Sequence, residues 1–580
     1  MASQYIAFVH SNAGYRRSIV ARAQRSTGLS LVFEGRRIDV LSSAASDIVA
    51  LGHYGALIGH VFRRHGRDRV LARFAPDEVD AIIGSGGAAL ITQYWGGYVA
   101  VAELAAHTLV LRDPSAAMPC YRLQADGLSV FASDADILRR ARLLSPGIEW
   151  NGLARHLYTD GLPSSQTAIA GVEELLPGTA ARVDADHQDV RLVWSPWDHV
   201  TPTRLTSGEA AERLRSVVRQ SVVSWASLHT DVLVGVSGGL DSSIVAACLA
   251  GEGRHMLCMT MVTEDADGDE RAFAELLSRE IDVELIASFY DLGDIRLDRS
   301  AAPHLPLPVS RSQAQSYNAA VARLARVREI GAFFTGNGGD NVFAFSQSAA
   351  ALYDRWRHEG WRPGLISTLM DTCKLTGCSP LQAVQSALKL ARAAASYRWR
   401  AEPLFLHADV IATQAQQSMS HAWLDAPAGA LPGKAAHIAG LLRVQRNLHT
   451  SERAMGLPVV NPLMAQPVIE ACLQIPSWVW REGGVNRAVA RVAFAGALPD
   501  AIAYRTTKGR PDSFCNDIIE ARRTDIADRL LDGQMARNGL LDRAALNRAL
   551  FDPAPDMGVE QVRLLALVET EAWLEYWRSA

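Results

Sequence analysis

The chain has 580 residues, which is too long for one hydrophobic core, so we expect two or three domains. Its composition, 48% hydrophobic and 21% charged, is that of a globular protein, and the formal net charge of −4 excludes a basic, nucleic-acid-binding surface over the whole chain. The seven cysteines are scattered without a CxxC spacing, so neither a disulfide framework nor a zinc site is predicted.

The chain begins with MASQYIAFVHS, which lacks the basic stretch and apolar run of a signal peptide. The sequence also contains no uninterrupted apolar run of about 18 residues, the length that a membrane-spanning helix needs. These observations predict a cytoplasmic protein that does not act on a membrane.

Residues 1–205 form the first predicted domain, an α+β unit with many short strands. The candidate strands are separated by turn residues and read, in chain order, YIAFVH, LSLVFEG, YVAVAEL, TLVLRD, LSVFAS and AARVD. The segment TPTRLTSG that follows has the composition of a linker and places the predicted boundary near residue 205.

Residues 206–580 form the second predicted domain, an α/β unit with a doubly wound parallel sheet and helical additions. It starts with a predicted amphipathic helix, GEAAERLRSVVRQSVVSW. The predicted strands VLVGV, MLCMTMV, VELIASF and AFFTG then alternate with helical segments, a pattern that predicts ligand sites at the carboxyl ends of parallel strands. From about residue 346 the signals are mostly helical.

The loop SGGLDSS follows the strand VLVGV and opens a predicted helix. Its glycines permit a tight turn, and its hydroxyls lie beside the free N–H groups of the helix, where the helix dipole favours an anion. Asp241 would repel a phosphate unless a cation lay between them, so the loop predicts a site for magnesium and a polyphosphate. The candidate residues are Ser237, Gly238, Gly239, Asp241, Ser242 and Ser243. The alternative is a helix cap without a ligand.

A second loop of the same design occurs in AFFTGNGGDNVF, residues 332–343. It again joins an apolar strand to a glycine cluster and a single aspartate, Asp340. Because two such strand ends can hold one metal ion between them, we predict that Asp241 and Asp340 share a magnesium ion.

These motifs carry a family resemblance. SGGLDSS is identified as the pyrophosphate-binding signature of N-type ATP pyrophosphatases, and GNGGDNVF is similar to the second loop of asparagine synthetases. WGGYVAVAELAAHTLVLRDPSAAMPCYRL and VEELLPGTAARV resemble segments of class II glutamine amidotransferase domains. GLPVVNPLMAQPVIEACLQIPS and LPDAIAYRTTKGRPDSF resemble later asparagine synthetase segments, so the resemblance spans nearly the whole chain.

The resemblance implies a degenerate amidotransferase-like β-sandwich followed by an adenine nucleotide alpha hydrolase-like domain. It implies ATP and Mg²⁺ as cofactors, with Val236, Thr335 and Gly336 beside the nucleoside. It also places Lys508 on the phosphates, as a catalytic residue together with Asp241 and Asp340.

The chain departs from this family at the glutaminase nucleophile. Amidotransferases of this class use an N-terminal cysteine, whereas Met1 is followed here by Ala2 and Ser3, and the first cysteine is Cys120. We therefore expect no glutaminase activity and an acyl-adenylate that is captured by an amine other than ammonia. Relatives that lack the nucleophile include β-lactam synthetases, carbapenam synthetases and the macrolactam-forming cyclases of lasso peptides.

The length of the chain and the GGD form of the second loop most resemble the lasso peptide cyclases. The predicted function is therefore adenylation of an Asp or Glu side chain of a precursor peptide and closure of a macrolactam ring with the peptide's N-terminal amine. The predicted partners are this peptide and, as a candidate, the leader peptidase of the same pathway. The alternatives are a β-lactam, carbapenam or asparagine synthetase-like ligase of small molecules, and a non-catalytic peptide-binding scaffold.

Two features stay open at the level of sequence. Residues 345–437, a helical section rich in arginine and tryptophan, are either a lid or core extension or a clamp over a peptide. Arg487, on a predicted helix, is either a surface salt-bridge residue or a residue near the substrate.

Overall fold

The structure is a computed structural model. It describes residues 4–10, 16–44, 47–65, 69–125, 127–184, 188–201, 205–252, 254–263, 265, 268–392, 396–506, 512–552 and 558–579.

The N-terminal part contains two six-stranded antiparallel sheets. The strands are β1 (Tyr5–Val9), β2 (Ser30–Glu34), β3 (Ile38–Ser42), β4 (Ile48–Ala50), β5 (Gly55–Arg63), β6 (Tyr94–Glu103), β7 (Thr108–Arg112), β8 (Tyr121–Ala125), β9 (Leu128–Ala132), β10 (Val172–Glu174), β11 (Thr179–Val183) and β12 (Gln188–Leu192). The first sheet has the order β10-β8-β9-β1-β3-β2 and the second β12-β11-β7-β6-β5-β4.

The two sheets pack against each other as a sandwich. Alternate residues of β1, such as Ala7 and Val9, join a core with residues of the second sheet such as Ile58 and Val101. The intervening Phe8 faces a different core that is built with helices. Because side chains alternate between the faces of a strand, β1 is buried on both sides.

All six strands predicted in this region are present, as β1, β2, β6, β7, β9 and β11, and the structure adds six more. The longest of these, β5, contains Gly55 and Gly59. A Cβ atom at Gly55 or Gly59 would collide with the backbone of β6, at Val101 or Gly97. These glycines therefore permit close strand pairing, a property that the local pattern does not reveal.

The C-terminal part contains a five-stranded sheet that is entirely parallel. Its strands are β13 (Asp231–Gly235), β14 (His255–Val262), β15 (Leu285–Phe289), β16 (Ala332–Phe334) and β17 (Val459–Val460), in the order β15-β14-β13-β16-β17. The predicted parallel sheet and four of its strands are confirmed, and β17 was not predicted.

Helices surround the sheets and make up most of the chain after residue 345. The helices are α1 (Arg16–Thr27), α2 (Pro76–Gly84), α3 (Ala88–Gln93), α4 (Ala135–Arg140), α5 (Trp150–Tyr158), α6 (Ser207–Ala226), α7 (Leu240–Ala250), α8 (Arg271–Glu280), α9 (Ala314–Val327), α10 (Gly339–Val342), α11 (Ala350–Glu359), α12 (Gly364–Thr376), α13 (Pro380–Arg392), α14 (Ala408–Ala415), α15 (Pro432–Gln445), α16 (Glu452–Met455), α17 (Gln466–Gln474), α18 (Ala488–Phe494), α19 (Asp500–Ala503), α20 (Asp512–Ala521), α21 (Arg523–Asp532), α22 (Gln534–Arg537), α23 (Arg543–Phe551) and α24 (Gly558–Ser579).

The parallel sheet is covered on both faces, as a doubly wound fold requires. One face packs on residues of α6, α7 and α8, and the other packs on residues of α9 and α16. Among the described helices, none combines the length and the apolar composition needed to cross a membrane.

The N-terminal and C-terminal parts share buried contacts. Residues of α24 enter one hydrophobic core with residues of α4 and α5. Arg64 donates to both carboxylate oxygens of Glu470, at 2.5 and 2.8 Å, and Trp194 Nε1 donates to the same carboxylate at 2.9 Å. The N-terminal part thus packs directly against helices α17 and α24 of the C-terminal part. The boundary near residue 205 stays a prediction, and residues 202–204 lie outside the described residues.

Candidate nucleotide and metal site

The two glycine-rich loops follow adjacent strands of the parallel sheet. SGGLDSS follows β13 and GNGGDNVF follows β16, and these two strands pair directly. The chain order of the first four strands across the sheet is 3-2-1-4, so β13 and β16 flank the point at which the order reverses. Open α/β sheets bind ligands in the crevice outside the carboxyl ends of the strands at this point.

The first loop turns sharply into α7. Gly238 has φ +60°, and a Cβ atom there would collide with the side chain of Phe273, so both the turn and the packing require glycine. The Ser242 Oγ accepts a hydrogen bond from Ser237 N at 3.3 Å and lies 3.4 Å from Ser237 Oγ. Gly239 is the N-cap of α7. The loop therefore presents two hydroxyls at a helix N-terminus, the arrangement that accommodates an anion.

Two of the predicted nucleotide-binding residues lie behind this loop. Ser243 is fully buried, and its hydroxyl donates to the Gly239 carbonyl oxygen at 2.8 Å, so it stabilises the first turn of α7. A contact between this hydroxyl and a phosphate would require it to rotate away from that carbonyl. Val236 is also buried, with its N–H donating to Met259 O at 2.8 Å, and its side chain can contribute only to the apolar floor.

The second loop lies against the first because two of its residues lack a side chain. A Cβ atom at Gly336 would collide with the backbone of Ser242, and one at Gly339 would collide with Asp241. Thr335 Oγ1 donates to Asn461 Oδ1 at 2.7 Å and accepts from Asn337 N at 3.1 Å, which fixes the loop to the strand end of β17. The glycines thus bring the carboxylates of both loops to one place.

One arginine joins these carboxylates. Arg487 Nη1 lies 2.8 Å from an oxygen of Asp241 and 2.6 Å from an oxygen of Asp340. The side chains of Arg487 and Asp241 are 13% and 11% exposed, whereas that of Asp340 is 48% exposed. Arg487 is therefore not the surface salt-bridge residue of the first alternative, and it lies before the helix rather than within it, as the N-cap of α18 with φ +54°.

The donor set at this point fits a magnesium ion. Both carboxylates already reach a single positively charged atom, so one cation can contact both of them. No cluster of three or more His, Cys, Asp or Glu side chains suited to a metal occurs among the described residues. Mg²⁺ is commonly held by one or two carboxylates together with substrate phosphates, so a pair is the number expected at a nucleotide site.

A second buried arginine holds the backbone that presents Arg487. Arg491 is 1% exposed and donates to the backbone carbonyls of Asn486 and Arg505 at 2.7 and 3.0 Å. Burial, aided by the nearby Arg487 charge, lowers the pKa of Arg491 to about 10, so its guanidinium stays charged near neutral pH. The hydrogen bonds of Arg491 thus stabilise the unusual backbone conformation of Arg487.

The chain leading to Lys508 is anchored at the first loop. Arg505 donates to Gly238 O at 3.3 Å and to Glu270 at 2.8 Å, and its guanidinium lies 3.7 Å from the centre of the Phe273 ring. Lys508 itself lies outside the described residues, so its role on the phosphates stays a prediction.

The RDP segment of the N-terminal part has structural partners. Arg112 is 1% exposed and donates to Glu174 and to the Leu175 carbonyl, each at 2.7 Å. Asp113 accepts from the backbone of Tyr98 and of Ser115, and burial raises its pKa to about 6. These two residues therefore organise the sandwich.

Cys120 is the only cysteine in the first 205 residues. It is fully buried, and desolvation raises the pKa of its thiol to about 11. Cysteine chemistry requires the thiolate, so Cys120 is a structural residue.

The parallel sheet and the paired glycine-rich loops at its carboxyl edge are typical of nucleotide-binding α/β proteins. Comparison with protein families matches residues 213–577 to the asparagine synthase family, and the chain belongs to this family of ATP-dependent amide ligases. A comparison with curated protein sequences found no match.

Two solved structures are similar to part of the chain. One is the allosteric regulatory enzyme of purine biosynthesis, with a TM-score of 0.21 and 9% identity over 50% of this chain and 80% of that one. The other is the glutamine phosphoribosylpyrophosphate amidotransferase from B. subtilis complexed with ADP and GMP, with a TM-score of 0.21 and 11% identity over 50% of this chain and 81% of that one.

Proposed function

We propose that this ligase is a macrolactam synthetase, which joins the N-terminal amine of a precursor peptide to a side-chain carboxylate of the same peptide. The observation that supports an internal amine is the state of Cys120, which leaves the first 205 residues without a reactive thiol for releasing ammonia from glutamine. The resemblance to lasso peptide cyclases in chain length and in the GGD loop supports a peptide as the substrate.

The two loops would hold ATP at the carboxyl edge of the sheet. Ser237 and Ser242, together with the first free N–H groups of α7, would bind the β- and γ-phosphates. Asp241 and Asp340 would hold Mg²⁺, which neutralises phosphate charge when bound. Arg487 would then release at least one of these carboxylates, because its guanidinium contacts both of them.

The chemistry would proceed in two displacements. An oxygen of the peptide carboxylate attacks the α-phosphorus of ATP, the bond to the leaving pyrophosphate breaks, and an acyl-adenylate forms. The neutral N-terminal amine then attacks the acyl carbon, AMP leaves, and the nitrogen loses a proton. Binding both groups of one peptide replaces a bimolecular encounter, and Lys508 would stabilise the charge that develops.

The test is to incubate the protein with ATP, Mg²⁺ and the small peptides encoded beside its gene. We expect AMP, pyrophosphate and a peptide product lighter by one water. Matched controls are the same peptide with its N-terminus acetylated, the peptide with its acidic residue replaced by the corresponding amide, and the Asp241→Asn protein. Product from the acetylated peptide would contradict ring closure at the N-terminus. If the protein used free amino acids with a side-chain carboxylate but no peptide, it would be assigned to the small-molecule ligases.

A further inference from the structure

A large cavity opens at the carboxyl end of α15, beside the start of α24. It has a volume of about 770 Å³ and is lined by residues of α5, by segments 308–311, 402–404 and 446–447, and by α24. This volume is within the range of ligand-binding pockets. None of these segments has a function in the ATP site described above.

Two arginines line this cavity: Arg446, whose side chain is 17% exposed, and Arg563, which is buried. Arg446 Nη1 donates to Asp160 at 2.8 Å, but its Nε has no hydrogen-bond partner among the described residues. Arg563 is 8% exposed and donates only to backbone carbonyl oxygens in the described chain. Burial lowers the pKa of both guanidinium groups. Both would be better stabilised with a further anion in the cavity.

Arg311 adds a third guanidinium to the cavity wall. Its side chain is exposed and forms no ion pair or hydrogen bond with the described residues. Glu402 and Glu560 also line the cavity, and neither forms an ion pair with these arginines within the described ranges. The planar guanidinium of Arg311 is therefore available to a carboxylate, which it can bind through two parallel hydrogen bonds.

The buried side-chain amide of Gln445 lies next to this cavity. Gln445 lines an adjoining cavity of about 50 Å³, which shares Arg446 and His156 with the larger one. Gln445 is 6% exposed, and neither its Oε1 nor its Nε2 has a hydrogen-bond partner in the part of the chain that the structure describes. A buried amide without partners is costly, and its donor and acceptor match those of a peptide group.

This region adjoins the second phosphate loop. Asn341 Nδ2 donates to Gly440 O of α15 at 2.8 Å. A Cβ atom at Gly338 would lie 3.4 Å from Val444, the residue immediately before Gln445. The helix α15, which ends at Gln445, therefore packs against the loop that carries Asp340.

We propose that Gln445, Arg446 and Arg311 form a binding site for an acidic segment of the peptide substrate. Gln445 pairs with a backbone peptide group, and the arginines bind the carboxylate of a glutamyl or aspartyl residue. This assignment rests on the proposed function in that the ligand is a peptide, and it adds the site where the chain next to the reacting residue is held.

The test is a binding measurement on the full chain without ATP. The probe is N-acetyl-glutamate N-methylamide, titrated by saturation-transfer NMR against its glutamine analogue and against acetate. We expect the glutamate probe to bind more tightly than either, by about fivefold or more. Arg311→Gln and Gln445→Leu should each weaken its binding by about fivefold or more. Neither should lower the melting temperature, because neither side chain forms a hydrogen bond or ion pair within the described part of the chain.

The matched control is Arg326→Gln, an exposed arginine in the last turn of α9, which should leave binding unchanged. Equal binding of the glutamate and glutamine probes, or of acetate, would overturn carboxylate recognition within a peptide. Wild-type binding by both variants would overturn the site. The assay needs no turnover, so its outcome is independent of the reaction. If the protein cyclises a peptide but both variants bind the probe as the wild type does, only this binding site is refuted. The expected binding pattern without any cyclised product would refute the macrolactam proposal alone.

Discussion

Replacing Arg487 by glutamine should allow the protein to bind a divalent cation without nucleotide. The Arg487 Nη1 atom contacts Asp241 at 2.8 Å and Asp340 at 2.6 Å, and these are the carboxylates predicted to bind the metal. A metal ion that uses both carboxylates must first displace this group. Glutamine is uncharged and does not form these two ion pairs.

The size of the effect follows from the exposure of the two contacts. Asp241 is nearly buried, and a charged hydrogen bond of this kind contributes about 2 kcal/mol. Asp340 is about half exposed, so its contact contributes about 1 kcal/mol or less. Together these contacts, about 3 kcal/mol, correspond to about a hundredfold in the dissociation constant of the cation.

The assay is electron paramagnetic resonance of free Mn²⁺, titrated with protein in the absence of ATP. We expect the dissociation constant of Mn²⁺ in Arg487→Gln to fall by about a hundredfold relative to the wild type. Adding Asp340→Asn to this variant should remove the gain. Arg219→Gln, which breaks an arginine–glutamate contact of 2.8 Å on the surface, should have no effect. Equal Mn²⁺ affinity in Arg487→Gln and the wild type would show that Arg487 and the metal do not compete.

Three further predictions concern the reaction. Asp241→Asn and Asp340→Asn should each reduce pyrophosphate release to below about a tenth of wild type with an unchanged circular dichroism spectrum, and higher activity in either would contradict a shared metal ion. Glutamine should yield no glutamate with or without ATP, because the Cys120 thiol is buried with a pKa of about 11, and an enzyme-dependent glutamate signal would show that a nucleophile has been overlooked. Lys508→Ala should lower kcat by about a hundredfold with little change in ATP affinity, measured as single-turnover AMP formation. If ATP binding weakens while the saturated rate is unchanged, the lysine only anchors phosphate.

The local features of the nucleotide site were predictable from the sequence. The uniformly apolar VLVGV and AFFTG segments, each followed by a glycine cluster and one aspartate, indicated two parallel strands ending in ligand loops, and both loops lie where this pattern placed them. Such patterns succeed because strand burial, glycine turns and helix N-termini depend on residues that are close together in the chain.

The tertiary structure decided which charges meet. Arg487 is 246 residues from Asp241, and nothing in the sequence around it indicates that its side chain joins the two carboxylates. Likewise, the need for the glycines of β5 follows only from the backbone of β6 beside them. Gln445 belongs to no motif identified in the sequence, and only the tertiary structure shows that its amide has no hydrogen-bond partner among the described residues. Local propensities act over a few residues, whereas the position of a charge or of a buried amide depends on the packing of the whole chain. This is why only the fold could place Arg487 between the predicted loops and Gln445 beside the cavity.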